Sequence, residues 1–580
     1  MHAVLPLLLA LTPAPLPAPA APLDAGSTSL PAKISQNPAR RNSVPPPRSP
    51  SKIPPAGAAR KLDRGLEKFS GRVEVFVRMK EQLLPGAGDY EAFTKKHAGA
   101  RRRELRASVL EDLHRFSDRS FARIRDLVHE LEKGGDLRGL RRYFVVNGFA
   151  ALANAKACQK LAAHEETAFL YRKPLPGLPS LTSLPPRGVR PPSRKAAKAR
   201  RALFEATLER LAEEAPPFDP ARVEATWNLS RLKVPEAWKR GFHGQGVVIA
   251  LLDSGLLPTA PLTRALWRNI EEELNGEDDD GNGYVDDLFG WNFAEDSNFV
   301  LGDDPRRILS HGTACAGILA SRPVETGGRI LAPGVAPGAR LMVLRGMGRM
   351  QAYEYALEKG ADVISMSYMW VRLPLGNWRG LYRLAHEHMA AAGLVQVGGA
   401  GNFGKGGRRP APPGKQIALP KDIPCVLAAA GILKDGTKAP ASSEGPCTWD
   451  DVVFYGDYDE AHPLQKPDVT AFFTGYPVWV PVRRKILRRV RWSVVWKGED
   501  GMGLVIGPAG NSFSGPQTGG VVALMLSANP DLPVWEVQAR LRASAVDLGP
   551  KGWDPTFGAG LLDADKACKL ALDYGRDGGR

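Results

Sequence analysis

The sequence predicts an α/β fold with a parallel central sheet that carries helices on both faces, preceded by a small α/β domain. The strongest sign is the segment 247–253, in which six consecutive apolar residues end on Asp253. An unbroken apolar run of this kind is typical of a fully buried parallel strand. Strand and helix patterns then alternate over residues 247–527, as expected for a parallel sheet with its connecting helices. The chain has 580 residues, 43% of them hydrophobic, which is enough for a large core and more than one domain.

The alternating part of the chain gives a definite set of predicted elements. Ligands of such sheets bind at the carboxyl ends of the strands, and Asp253 lies at one of these ends. Strands are predicted at 247–253, 340–345, 362–367, 394–397 and 426–430. Helices are predicted at 311–320, 351–359, 381–391 and 512–527.

The first 20 residues predict a secretory signal peptide, because an apolar stretch at 3–11 is followed by small residues. No Lys or Arg precedes that stretch, so a disordered start rich in alanine and proline is the alternative. Residues 21–58 are rich in Pro, Ser and Ala and lack periodicity, which predicts a linker.

Residues 59–172 are predicted to form the small α/β domain, and residues 227–572 the large one. Between them, residues 173–226 are rich in Pro and Arg and predict an exposed, cleavable linker with one helix at 202–214. In the small domain, strands are predicted at 71–79, 143–152 and 167–171, and helices at 89–96, 101–132 and 155–163.

Three short motifs carry side chains suited to nucleophilic chemistry. Asp253 ends the buried strand in Asp-Ser-Gly, His311 begins an apolar helix in His-Gly-Thr, and Ser512 starts a buried helix in Asn-Ser-Phe-Ser-Gly-Pro. A helix N-terminus concentrates free N–H groups and the positive end of the helix dipole, which suits a developing anion. Each residue alone has a simpler explanation, such as a helix cap for Ser512. The three motifs in this chain order are a much rarer combination.

On these motifs the chain resembles the subtilisin-like serine proteases, or subtilases, over residues 227–572. Three further segments match the family: Gly-Gly-Ala-Gly-Asn ending at Asn402, Lys-Pro-Asp-Val-Thr-Ala at 466–471, and Phe-Gly-Ala-Gly-Leu at 557–561. The resemblance implies a subtilisin-like fold and a secreted serine endopeptidase, made as a zymogen, that hydrolyses protein or peptide substrates. It also implies that residues 59–172 are an inhibitory propeptide acting within the same molecule.

The resemblance assigns roles to single residues of this chain. Asp253, His311 and Ser512 would form the catalytic triad, Asn402 would donate to the oxyanion, and catalysis would need no cofactor. The chain departs from the family where Tyr-Met-Trp replaces the usual Leu-Gly, and the bulk of Met369 is predicted to reshape the pocket. By resemblance, the two walls of the S1 substrate pocket are Ser367, Tyr368 and Met369 on one side, and Gly399, Ala400 and Gly401 on the other.

An acidic stretch at 278–287 predicts a structural calcium site. Its residues match positions 1, 3, 5, 6 and 9 of a calcium loop, but Phe289 occupies the twelfth position, where a bidentate carboxylate is expected. An acidic surface turn is the alternative. The predicted ligands are Asp278, Asp280, Asn282 and Asp286.

The net charge of +16 raises nucleic-acid binding as an alternative function. The charge clusters in basic runs at 101–103, 190–201 and 483–489, and no aromatic-interleaved recognition module accompanies them, so we expect no nucleic-acid partner. No stretch approaches 18 continuous apolar residues, so we expect no transmembrane helix and no membrane partner. We expect a monomer. A catalytically inactive subtilase that serves as a binding module is a further alternative.

The chain has five cysteines, and the odd number argues against a full disulfide framework. Cys425 and Cys447 are candidates for one pair, since both lie in the same irregular region. Cys315, inside the helix that begins at His311, is expected to be a buried free thiol.

Overall fold

The computed structural model describes most of the small domain and of the large one. The predicted signal peptide, the linker 21–58 and the basic run 483–489 lie outside the described residues. The described residues are 61–184, 189, 191–213, 217–302, 309–482, 492–498 and 500–575.

The first part of the structure is a small α/β unit around an antiparallel sheet. The sheet order is β2-β3-β1-β4, and each neighbouring pair is antiparallel. Helix α2 is amphipathic and buries Leu105, Val109 and Leu113 along one face. Its elements are β1 (Val73–Met79), α1 (Asp89–Lys96), α2 (Arg102–Lys133), β2 (Leu137–Tyr143), β3 (Gly148–Ala153), α3 (Ala155–Ala163) and β4 (Thr167–Arg172).

The prediction of one strand over 143–152 is wrong, because the chain turns back between β2 and β3. Asn147 lies in this turn with a φ of 29°, and its N–H donates to the carbonyl of Phe144 at 3.1 Å. Asn followed by Gly148 is a strong hairpin signal, so the turn was readable from the sequence.

Helix α4 spans Arg194–Ala212 and therefore begins earlier than the helix predicted at 202–214. The Ser193 hydroxyl accepts the N–H of Ala196 and caps the helix. The residues that follow Ser193 are Arg, Lys and Ala, which are good helix formers despite their charge. Phe204 anchors the helix to the large domain, with its ring centroid 5.3 Å from that of Phe289.

The rest of the chain is a second α/β unit. Its elements, in chain order, are β5 (Glu224–Ala225), α5 (Trp227–Arg231), α6 (Val234–Lys239), β6 (Val248–Asp253), α7 (Ala260–Thr263), α8 (His311–Ala320), β7 (Val324–Thr326), β8 (Arg329–Ala332), β9 (Arg340–Arg345), α9 (Met350–Glu358), β10 (Val363–Ser365), α10 (Trp378–Ala391), β11 (Val395–Gly399), β12 (Val426–Ile432), β13 (Val469–Phe472), β14 (Val478–Pro481), β15 (Ser493–Lys497), β16 (Met502–Ile506), α11 (Asn511–Ala528), α12 (Val534–Ser544) and α13 (Ala564–Asp573).

In the described residues, a six-stranded parallel sheet with the order β13-β12-β11-β10-β6-β9 forms the centre of this unit. The predicted α/β fold is therefore confirmed. Strand β13 and the separate antiparallel sheet β14-β16-β15 were not predicted. Each of these strands has only four or five residues, and so short a run carries little periodicity.

Helices cover the parallel sheet in two groups. Helices α8 and α11 pack together, and α11 lies along β11, β12 and β13. Helices α9 and α10 also pack together, and they lie between the two units: α10 contacts β11 on one side and β4 on the other, while α9 contacts β2. The small unit is thus seated on the helix pair α9–α10.

Two buried side chains of this helix pair hold the turn between β2 and β3. Glu354 Oε1 accepts the N–H of Val145 at 3.0 Å. His388 Nε2 accepts the N–H of Leu84 at 3.1 Å, so its proton is on Nδ1, which donates to the Val145 carbonyl at 2.7 Å. Burial lowers the pKa of His388 to about 4, which keeps the imidazole neutral, and raises the pKa of Glu354 to about 8.

A buried ion pair also joins the two units. Arg102, at the start of α2, is 3% exposed and lies 2.7 Å from Asp362 of the large unit. No helix in the described part of the chain is long and apolar enough to cross a membrane.

Candidate active site

The centre of the candidate site is a contact between the end of β6 and the start of α8. His311 Nδ1 lies 2.7 Å from Oδ1 and 3.0 Å from Oδ2 of Asp253. Asp253 is 2% exposed, so its charge is shielded from water. Burial alone would lower the pKa of His311, but the Asp253 carboxylate outweighs it, and the pKa of His311 lies well above its usual value. With Nδ1 bound to the carboxylate, Nε2 is the nitrogen left to accept a proton.

The local sequence fixes this contact through small residues. The Ser254 N–H donates to Asp253 Oδ1 at 2.7 Å, and the Gly312 N–H donates to Ser254 Oγ at 3.0 Å. A Cβ atom at Gly312 would collide with the carbonyl of Gly255, so the first turn of α8 can approach the strand end because residue 312 is glycine. Sequence reasoning treated Ser254 as part of a motif and missed its bridging role.

Ser512 stands in the first turn of α11, next to α8. Its carbonyl oxygen accepts hydrogen bonds from Cys315 Sγ at 3.3 Å and from Ser367 Oγ at 3.0 Å. Cys315 Sγ is in turn 3.8 Å from His311 Nδ1, and the Phe513 ring centroid is 6.3 Å from that of His311. The structure therefore brings the serine and the histidine to the same edge of the sheet.

Among the described residues, the Ser512 hydroxyl makes no hydrogen bond, and so none joins it to His311. A serine–histidine bond of this kind is often long in a protein without substrate and shortens when substrate binds. In the first turn of α11 the Asn511 N–H donates to Asn402 Oδ1 and the Phe513 N–H to the Gly510 carbonyl, whereas the Ser512 N–H has no partner among the described residues. The Ser512 N–H is therefore available to an anion at this helix end.

Asn402 reaches the same helix end. Its Oδ1 accepts the N–H of Asn511 at 2.8 Å, and its Nδ2 lies 3.4 Å from the position that a Cβ atom at Gly510 would take. Because Oδ1 is occupied, the amide presents its N–H groups as donors beside Ser512. A second hydrogen bond joins the start of α11 to the segment that ends at Asn402, since Asn511 Nδ2 donates to the Gly401 carbonyl at 2.7 Å. This role of Asn511 was not predicted, because no pattern around it signals a contact with Gly401.

The two predicted walls of the substrate pocket continue from β10 and β11, which are neighbouring parallel strands. Ser367 is bound to the Ser512 carbonyl, and Met369 Cε lies 3.2 Å from the position that a Cβ atom at Gly401 would take. Tyr368 turns toward α9 instead, where its hydroxyl is 2.8 Å from that of Tyr353. Gly399 and Ala400 are buried, and a Cβ atom at Gly399 would collide with the Asn511 carbonyl.

Comparison with known proteins agrees with this arrangement. The model of the subtilase family matches residues 244–560, which is more than half of the chain and includes Asp253, His311, Asn402 and Ser512. The chain belongs to the subtilase family. The resemblance stated from the sequence is thereby confirmed, and so is the subtilisin-like fold.

Curated relatives of this subtilase are named as proteases. Bacillopeptidase F of Bacillus subtilis is 24% identical over 517 residues, which cover 83% of this chain and 30% of that protein. The calcium-dependent protease of Trichormus variabilis is 26% identical over 384 residues, 61% of this chain and 48% of the relative. Subtilisin DY of Bacillus licheniformis is 24% identical over 354 residues, 59% of this chain and 98% of the relative. The chain thus covers less than half the length of the first two relatives.

The structure brings together only part of the predicted calcium ligands of this subtilase. Carboxylate oxygens of Asp278 and Asp280 lie within 4.8 Å of each other and of Glu272, a residue that was not predicted. The Asn282 N–H donates to both aspartates at 3.1 Å, and Lys359 forms an ion pair with Asp280.

Asp286 lies apart from this group, contrary to the prediction. Its Oδ1 accepts the N–H groups of Asn275 and Gly276, both at 2.9 Å, and so it binds the backbone at the start of the loop. Glu272 is fully buried, and its Oε2 has no hydrogen-bond partner among the described residues. Burial raises the pKa of Glu272, and the nearby Asp287 and Asp280 carboxylates add to this effect.

The cysteines of this subtilase are all in the described part of the chain, and all are free and buried. The candidate pair Cys425–Cys447 is therefore not formed. Cys447 Sγ donates to the Ile417 carbonyl at 3.9 Å instead. Cys315 is a buried free thiol, as expected, and burial raises its pKa.

Proposed function

We propose that this subtilase is a serine endopeptidase that cleaves protein or peptide substrates. The observation that carries the proposal is the 2.7 Å contact of a buried Asp253 with His311, beside the helix end that bears Ser512. A hydroxyl is a weak nucleophile unless a base takes its proton, and His311 Nε2 is the base that this geometry offers.

In the proposed reaction, Ser512 Oγ attacks the carbonyl carbon of the scissile bond while its proton passes to His311 Nε2. Asp253 keeps the imidazole oriented and stabilises the imidazolium. The Asn402 amide and the Ser512 N–H donate to the oxyanion. His311 then gives the proton to the leaving amine, and water releases the acyl group by the same steps. The chain's own side chains and the Ser512 N–H, together with water, supply every group that these steps need.

Hydrolysis of casein by the wild type and by Ser512→Ala tests this proposal. Removal of the nucleophile is expected to lower kcat by about 10⁶. Equal turnover by the two proteins would show that Ser512 is not the nucleophile. The alternative of an inactive binding module predicts that neither folded protein turns over substrate.

We also propose that the small unit is an inhibitory propeptide and that the protein is exported as a zymogen. The docking of the unit on α9–α10 supports this. A second support comes from the segment 173–184, which follows β4 and is called the tail here. In this tail the Ser180 carbonyl accepts a hydrogen bond from the Arg349 guanidinium at 3.2 Å. Arg349 lies four residues after the end of β9. In the parallel pairing of β6 and β9, the last residue of β9, Arg345, is the register partner of Asp253. The tail thus reaches the edge of the sheet where the candidate site lies.

Two measurements test the zymogen proposal. Limited proteolysis between residues 173 and 226 should raise the activity of the full-length protein, and unchanged activity would argue against inhibition. N-terminal sequencing of the protein recovered from culture medium should show that the first 20 residues and the small unit have been removed. Retention of the first residues in a cell-bound protein would contradict export.

A structural calcium ion held by Glu272, Asp278 and Asp280 is part of the proposal. Clustered carboxylates repel one another unless a cation screens them, and oxygen ligands are those that calcium prefers. The buried Glu272 Oε2 without a partner supports an ion at this position. Two relatives are named as calcium-dependent proteases. For the mature protein we propose a monomer without nucleic-acid or membrane partners.

A further inference from the structure

Two side chains fill the gap between the walls of the substrate pocket. Met369, on the first wall, reaches Gly401 of the second. Lys421 comes from neither wall: its Nζ donates to the Tyr368 carbonyl at 2.8 Å, and a Cβ atom at Gly398 would collide with its Cε. Gly398 lies within β11 and Gly401 lies two residues beyond the end of that strand. We call the side of the gap at Gly398, where Lys421 lies, its inner end, and the side at Gly401, where Met369 lies, its outer end.

The charge of Lys421 is buried without a counterion. Lys421 is 0% exposed, and among the described residues no carboxylate forms an ion pair with it. The adjacent Asp422 binds Arg379 through Oδ2 at 3.0 Å, and its Oδ1 has no hydrogen-bond partner among the described residues. Both Asp253 oxygens are directed to His311. Burial lowers the pKa of Lys421 to about 7. The Asp422 and Asp253 carboxylates raise this pKa, but by less than burial lowers it, so they compensate the ammonium charge only in part.

Lys466 shows what a purely structural buried lysine looks like in the same molecule. It is also 0% exposed, but its Nζ lies 2.8 Å from Asp468 Oδ2 and also donates to the Val426 carbonyl. Lys421 has three N–H donors, and in the described part of the chain only the Tyr368 carbonyl accepts from it, while Nζ also lies 5.1 Å from the centroid of the Tyr368 ring. A buried ammonium without an ion pair is costly, and a carboxylate that entered the pocket would keep the proton on Lys421 and pair with it.

We infer that Lys421 sets the specificity of this subtilase and selects substrates with Asp or Glu immediately before the scissile bond. This inference rests on the proposed endopeptidase function. The entering side chain displaces Met369, which is partly exposed, unbranched and flexible. Its carboxylate then takes the free N–H donors of Lys421 in a charge-assisted hydrogen bond. A pocket with this ammonium at its inner end disfavours basic side chains by like-charge repulsion.

The test compares two peptides that differ only in Glu or Gln before the scissile bond. The wild type, after removal of the small unit, is expected to cleave the Glu peptide with a kcat/KM about 30-fold or more above that of the Gln peptide. In Lys421→Met the ratio is expected to fall to about 1, because the two peptides are nearly isosteric. Lys415→Met removes an exposed lysine from the same segment and should keep the wild-type ratio.

The ratio of kcat/KM for the Glu and Gln peptides is measured on the wild type itself. It can therefore contradict the inference even if Lys421→Met does not fold. Labelling of Ser512 by a fluorophosphonate distinguishes a failure of the specificity inference from a failure of the endopeptidase proposal. A labelled wild type that cleaves both peptides equally, or prefers Gln, overturns the specificity inference and leaves the endopeptidase intact. A folded, processed wild type that is neither labelled nor active on any peptide overturns both.

Discussion

His311 Nδ1 lies 2.7 Å from Asp253 Oδ1, and this bond joins the last residue of β6 to the first residue of α8. The carboxylate raises the pKa of His311. Because a general base must be neutral, the kcat/KM of the wild type should rise with pH through a midpoint above the ordinary histidine value of about 6.5.

Asp253→Asn removes the charge that raises this pKa. We expect kcat to fall by about 10⁴ and the midpoint of the remaining activity to move to lower pH. Asp435→Asn, at an exposed loop position, serves as the control and should change neither quantity. A variant at position 253 with an unmoved midpoint would show that Asp253 does not set the pKa of the base.

Asn402→Ala removes the proposed side-chain donor to the oxyanion. We expect kcat to fall by about 10² to 10³ with little change in KM, because the interaction forms only as the oxyanion develops. The measurement is steady-state kinetics on a peptide ester or amide.

Asn402 also accepts the N–H of Asn511, so its loss could act by displacing the helix that bears Ser512. Asn402→Asp keeps this acceptor and lacks the N–H donors. If Asn402→Asp recovers the wild-type kcat, the role of Asn402 is to position the helix, and the donor role is wrong.

Removal of calcium should lower the thermal stability of the folded protein. An ion present at 100 times its Kd stabilises the native state by about 2.7 kcal/mol, which chelation would abolish. We expect the difference in Tm with and without calcium to vanish in Glu272→Gln. Asp286→Asn is the matched control, because Asp286 lies apart from the cluster. A calcium effect lost in the control but kept in Glu272→Gln would place the ion elsewhere.

The docking of the small unit should weaken as the pH rises from 6.5 to 8. The pKa of Glu354 is raised to about 8 in the docked structure, so its contribution is complete below its ordinary pKa of about 4.5 and is lost as pH rises toward 8. His388, with a pKa of about 4, stays neutral in this window.

The urea midpoint of the full-length Ser512→Ala variant, which cannot cleave itself, measures this effect. It should fall over the stated pH range, and Glu354→Gln should flatten the dependence. An equally steep fall in Glu354→Gln would assign the pH dependence to another group.

Much of the large unit was predictable because its longer strands are apolar runs and the proposed catalytic residues stand at the end of a strand or the start of a helix. Asp253 is the example: the run before it predicts the strand, and the strand end predicts the site. The contacts of Lys421 and His388 were not predictable, since each joins segments far apart in the chain. Asp286 shows a different limit, because the spacing of a calcium loop does not determine which way each carboxylate turns.

Labelling of Ser512 by a fluorophosphonate tests the central claim most directly, because the reagent reacts only with a serine that its base has activated. In the processed wild type, mass spectrometry should locate the adduct on Ser512, and His311→Ala should lose the labelling while remaining folded. A wild type that is folded and processed but unlabelled, or a His311→Ala variant labelled as fast as the wild type, would contradict the account.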